Sequence, residues 1–166
     1  MGFARRIILG TAIAALVASM GIVSPANAAT DKIVVIQEAP IIQQNEKVVE
    51  IGQTGSTLFF EGQLRSTTNR RIGLLTGQTT VINLSPEVGE ATVRYRELVF
   101  ALAGGQIVAL GTSIYAARTT TNFNDDNAPV RIAVVGGTGK YRSSQGEVIT
   151  TKRTDGSYRH VIILDN

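Results

Sequence analysis

The chain has no cysteine and no tryptophan. It carries a single histidine, and aromatics make up only 5% of its 166 residues. Lack of cysteine excludes thiol catalysis, thiolate metal sites and disulfide staples, so any exported form must be held by its core and sheet alone. With one histidine, neither a histidine metal cluster nor a histidine-centred triad assembles convincingly. Basic residues are scattered apart from the pairs Arg70-Arg71 and Lys152-Arg153, and no basic stripe is interleaved with aromatics. Nucleic acid is therefore not an expected partner. After residue 23 no long hydrophobic run remains, and no convincing helical periodicity either.

Glycine is plentiful at 17 residues, and threonine, valine and isoleucine recur throughout. That mixture favours strands and tight turns. Residues 1–28 are set apart from the rest. Arg5-Arg6 precede an uncharged apolar run from Ile7 to Val23, and Pro25 leads into Ala26-Asn27-Ala28. This is the pattern of an export signal cut after Ala28, which predicts a secreted or periplasmic protein with no stable membrane anchor once cleaved. Residues 29–166 form one domain, long enough for a real core. Without Arg5 and Arg6, 14 basic residues face 13 acidic ones, so the charge drops from +3 to near +1.

Along residues 29–166 the apolar pattern has period two. Strands are expected at Ile33–Ile36, Ile41–Asn45, Ser56–Arg65, Arg71–Leu84, Glu90–Leu102, Gln106–Tyr115, Val130–Val135, Gly146–Arg153 and Tyr158–Leu164, with a β-like stretch at Val48–Ile51. Pro40 interrupts the first two. Interior glycines Gly73 and Gly77 predict coiling or close approach, and a slip in alternation near Glu97-Leu98 predicts a bulge there. Ala103-Gly104-Gly105 and Thr154-Asp155-Gly156 are hairpin turns. Residues 119–128 form the longest expected loop. About eight long strands with interior glycines point to an all-β, closed, eight-stranded antiparallel β-barrel in preference to a sandwich.

The densest glycine cluster is Gly136-Gly137-Thr138-Gly139-Lys140-Tyr141-Arg142. A phosphate-loop reading fails: Val134 stands where the first glycine belongs, Tyr141 replaces the hydroxyl residue after the lysine, and no helix follows. The cluster reads as a structural turn, with Gly136, Gly137, Thr138 and Gly139 bending the chain and Tyr141 and Arg142 pinning the loop to the wall. His160, alternating with Tyr158, Ile162 and Leu164, is expected to be packed or hydrogen-bonded. Asp125-Asp126 lacks the spacing of a calcium loop, so no metal or other cofactor is expected. Glu38 is the candidate acid or base. Pointing into a barrel it would have a raised pKa; at the rim it is an ordinary carboxylate, and spacing favours the rim. Tyr95 and Tyr115 are its candidate catalytic partners.

The segment Val135 to Val148 resembles the G-G-T-G-x-[FY]-R signature of dirigent proteins and the equivalent segment of allene oxide cyclases. The resemblance extends upstream through Gly55–Leu64, Arg71–Gly77 and Gly104–Gly111. It implies an eight-stranded barrel, commonly a homotrimer, whose apolar cavity orients a reactive small molecule for cyclisation or stereocontrol, as an isomerase does. Glu38 is the nearest match to the cyclases' first-strand glutamate. Thr79 stands where they carry a cysteine, and Ile36-Gln37-Glu38 replaces the dirigent histidine-aspartate pattern. Two other uses of the scaffold stand beside it: a non-catalytic, lipocalin-like binding barrel, and an extracellular structural or interaction protein.

Overall fold

A computed structural model describes residues 30–44, 54–83, 92–115 and 128–165. Nine strands run antiparallel among them: β1 (Thr30–Gln37), β2 (Ile41–Gln44), β3 (Thr57–Arg65), β4 (Arg71–Asn83), β5 (Thr92–Leu102), β6 (Gly105–Tyr115), β7 (Val130–Gly137), β8 (Gln145–Lys152) and β9 (Tyr158–Asp165). No α-helix occurs among the described residues; one 3-10 turn spans Gly139–Tyr141. The expected stretch at Val48–Ile51 and most of the 119–128 loop lie outside the described residues.

From β2 to β9 each strand pairs with its sequence neighbour, and the sheet closes where β1 meets both β9 and β3. Along β3, Gln37 faces Leu64 and Ile41 faces Glu61, so four steps on one side match three on the other. The extra residue is a bulge at Glu38-Ala39-Pro40, where Pro40 has no N–H to give the ladder. The Glu38 amide still donates to the Gln63 carbonyl at 2.9 Å. β1 and β2 are therefore two halves of one bent strand, and the molecule is a closed eight-stranded antiparallel barrel.

Closure needs coil, and glycine supplies it where strands crowd. A Cβ on Gly77 would lie 2.7 Å from the Phe60 ring and 2.8 Å from the Glu97 carbonyl oxygen. The core is built from alternate positions of each strand: Val35, Phe60, Leu64, Leu75, Leu98, Phe100, Ile107, Ile132, Val148 and Ile162 are all buried. Fully burying a side chain of this kind stabilises by about 1.5–3 kcal/mol.

The bulge expected at Glu97-Leu98 is absent. Glu97 and Leu98 pair in unbroken register with Gln78 and Gly77 on one side and with Leu110 and Ala109 on the other. Register shifts fall instead at Leu64/Arg65, Val81/Asn83 and Val108/Ala109. The sequence pattern slips because Arg94 and Arg96 occupy inward positions, in phase with Leu98 and Phe100. An inward arginine looks like a change of face when only hydropathy is read.

The two ends of the barrel differ. Short turns at 66–70, 103–104 and 138–144 close one end. There the glycine cluster grips the β5–β6 hairpin: Lys140 N–H donates to the Gly104 carbonyl, Thr138 N–H to the Gln106 carbonyl, and Gln106 N–H returns to Thr138 Oγ1. Tyr141 is buried beneath this turn, with the Lys140 ammonium 4.8 Å from its ring centroid. Arg142 is exposed, so Tyr141 does the pinning. The connections after β2, β4 and β6 leave from the opposite end, together with the 153–157 turn.

Candidate functional site

The barrel interior is not uniformly apolar. Gln37, Thr79, Arg94, Arg96, Ser113, Thr150 and His160 are buried at inward positions, each 6% exposed or less. Ladder register puts most of them in the half of the barrel away from the glycine turn. Arg94 pairs across with Val81 and Ser113, and Arg96 with Thr79 and Gly111, close to the termini of β4, β5 and β6 that lie opposite the glycine turn. His160 pairs with Thr150, and lies two positions into β9 after the 153–157 turn. Phe100 marks the boundary with the apolar half, its ring meeting His160 edge-on at 5.2 Å.

His160 is held on both nitrogens. Its Nε2 is 3.0 Å from Gln37 Oε1 and its Nδ1 is 2.9 Å from Thr150 Oγ1. An amide oxygen only accepts, so Nε2 carries the proton, and Nδ1 accepts from the Thr150 hydroxyl. Burial pushes the imidazole pKa down to about 3, and the Arg96 charge acts in the same direction. The ring is therefore neutral at ordinary pH: a fixed relay from Thr150 to Gln37. The far side of the Gln37 amide, Nε2, is buried without a hydrogen-bond partner, as is Ser113 Oγ.

The residues expected from the sequence lie elsewhere. Glu38 sits in the β1–β2 bulge, its side chain 42% exposed and ion-paired with Arg65. It is a rim carboxylate, as the spacing favoured. Tyr95 is half-buried on β5 between inward Arg94 and Arg96, hence on the outer face, and β3 and β4 separate it from the bulge. The side chain of Tyr115 lies outside those described. Glu38 and Tyr95 are not brought together. What sequence reasoning missed is the inward set, above all Gln37, Arg94 and Arg96. The available signal was phase: Gln37 follows Val35, and Arg94 and Arg96 precede Leu98, at intervals of two.

Two grooves open on the outside. One, of about 660 Å³, runs beside Val135, Gln145, Glu147 and Ile163; the other, of about 350 Å³, lies beside Phe59, Thr76, Gln78 and Glu97. Neither is lined by any of the inward polar residues, so these two grooves are separate from the interior set. Among the described residues no cluster of three or more histidine or acidic side chains could hold a metal ion.

A closed antiparallel barrel with a polar group of side chains in one half of its interior is the class that fold and site define. No protein-family model matches the sequence, and no curated protein matches it. Solved structures do share the fold. A pyocyanin demethylase superposes with a TM-score of 0.59 at 21% identity, over 82% of this chain and 99% of that one. AbnU, described as an exo-specific intermolecular Diels-Alderase, gives 0.63 at 21% identity, over 83% and 99%. The Diels-Alderase AbmU from Streptomyces koyangensis gives 0.61 at 14% identity, over 83% of this chain and 63% of that one. At these identities the likeness establishes the barrel.

Proposed function

We propose that this protein is an exported barrel that binds an apolar small molecule inside its strands and steers the molecule's cyclisation or stereochemistry. The observation that carries the reading is the inward polar set, with Arg94 and Arg96 toward the end opposite the glycine turn and Gln37 and His160 at mid-barrel beside Phe100. A barrel built only for stability gains little from burying two arginines, a histidine and a glutamine, because each must be desolvated. A barrel that orients a guest needs such groups at defined points on an otherwise apolar wall. The shared fold of the Diels-Alderases and the demethylase supports the reading, as does the sequence resemblance to allene oxide cyclases and dirigent proteins. On that reading the barrel works as an isomerase-like cyclase, as a homotrimer, in the periplasm or the outside medium. The interior groups would hold the guest, and Tyr95, on the outer face, would take no part in the chemistry.

The test is native mass spectrometry of protein recovered after export from a bacterial host expressing the full chain. The expected result is a chain beginning at Ala29 that carries an organic molecule released on denaturation. Incubating the emptied barrel with conjugated polyenes and following product by chiral chromatography separates turnover from binding. A bare chain that takes up no apolar compound overturns the proposal.

A further inference from the structure

The strongest unexplained feature of the interior is the Gln37 amide. The residue is 1% exposed, and its Oε1 is engaged by His160. Its Nε2 has no hydrogen-bond partner among the described residues. A buried donor left unsatisfied costs about 1–3 kcal/mol, and native structures retain few of them. Here the arrangement is constructed. Thr150 donates to His160 and His160 donates to Gln37, which orients the amide so that both Nε2 hydrogens are left over. The strand facing Gln37 is cleared for it: a Cβ on Gly62 would stand 2.7 Å from Gln37 Cγ and 2.8 Å from Nε2. Gly62 does not adopt a left-handed backbone, so its lack of a side chain answers to Gln37, not to its own conformation.

Resting on the small-molecule reading above, we propose that Gln37 Nε2 is the interior anchor for an oxygen of the guest, which is an apolar molecule carrying a ketone, ester or enolate oxygen. The amide donates to that oxygen; His160 and Thr150 are positioning residues that hold the amide from behind. The Arg96 charge, close enough to act on His160, favours an acceptor carrying partial negative charge. Ser113 Oγ, also buried and without a partner, offers a second point of attachment from the β6 wall. A hydrogen bond that strengthens as charge develops on the guest oxygen would polarise it during bond formation.

An isosteric pair of probes reads the anchor directly. 2-Acetylnaphthalene presents a carbonyl where 2-isopropenylnaphthalene presents a methylene. Affinities of both are measured by calorimetry for the wild type, Gln37→Met and Gly62→Ala. The ketone-to-alkene affinity ratio is expected to fall about five- to tenfold in Gln37→Met, the size of one hydrogen bond. It should fall in Gly62→Ala as well, where the amide is displaced but not removed. An unchanged ratio, with both probes still bound, overturns the anchor and leaves the binding barrel standing. Binding of neither probe to any of the three removes both. If the variants do not fold, nitrogen-15 NMR of the wild type decides: the Gln37 side-chain amide signal must shift with the ketone and stay in place with the alkene. The His160 ring must also show its proton on Nε2; a proton on Nδ1 would turn the amide around and sink the proposal.

Discussion

At the residue scale, His160 makes the barrel's stability depend on pH in a defined window. Its folded pKa is about 3, below the ordinary value of 6.5, because burial and the Arg96 charge disfavour the cation. The unfolded chain therefore binds a proton below pH 6.5 that the folded chain refuses. The stabilisation is fully present above that value. It is lost as pH falls from 6.5 toward 3, at up to about 1.4 kcal/mol per pH unit. Asp155, held below the usual carboxylate range mainly by its Ser157 hydrogen bonds, acts in the same direction but only at lower pH. Urea unfolding at pH 7.5, 6 and 5 should show stability falling across the series. His160→Phe should flatten that slope; an equally steep slope in the variant would place its origin in another group. Glu38 behaves differently. Its pair with Arg65 is partly exposed on both sides, and such pairs contribute about 0–1 kcal/mol. Glu38→Gln should leave the melting temperature and probe affinity nearly unchanged. Lost turnover with intact binding in that variant would give the rim carboxylate a proton-transfer role.

At the element scale, the glycine turn and the β1–β2 bulge show what a sequence reveals and what it hides. Strand positions were legible because period two survives in β3, β6 and β9, and Pro40 announced its own break. The Gly136–Arg142 turn was legible from glycine spacing alone, and its contacts give the reason. Gly139 has φ +61°, and a Cβ there would lie 2.1 Å from the Gly104 carbonyl oxygen. Gly105, at φ +145°, would meet the Thr138 carbonyl at 2.0 Å. Gly139→Val should thus damage folding before binding. Backbone strain alone costs about 1–3 kcal/mol, and displacement of the hairpin adds to it. Differential scanning calorimetry should show a clear fall in melting temperature, while any folded fraction still binds the ketone probe. Normal melting with lost binding would make the turn part of the site. Of the inward polar set, His160 was legible as packed or hydrogen-bonded, while Gln37, Arg94 and Arg96 left only a phase signal. Arg94 and Arg96 carry the hydropathy of surface residues, and the Gln37–His160 contact joins positions 123 residues apart. No local window contains both partners.

At the scale of the whole molecule, closure of the barrel through β1 predicts where the chain can be cut. β1 begins at Thr30, one residue past Ala29, and its first three residues are exposed. From Ile33 the strand turns inward, and Thr30 to Gln37 pair with β9 along their full length. Removing residues 1–28 leaves every one of these pairs in place. Removing residues 1–36 deletes Val35 from the core and most of the ladder that closes β9 onto β3. An opened barrel exposes two unpaired edges, which invite association. A chain beginning at Ala29 should show β-sheet circular dichroism, melt cooperatively and elute as one species. A chain beginning at Gln37 should aggregate or fail to melt cooperatively. Equal behaviour of the two would mean that β1 is dispensable for closure, and the closed barrel, with its enclosed polar half, would be the wrong description of the protein in solution.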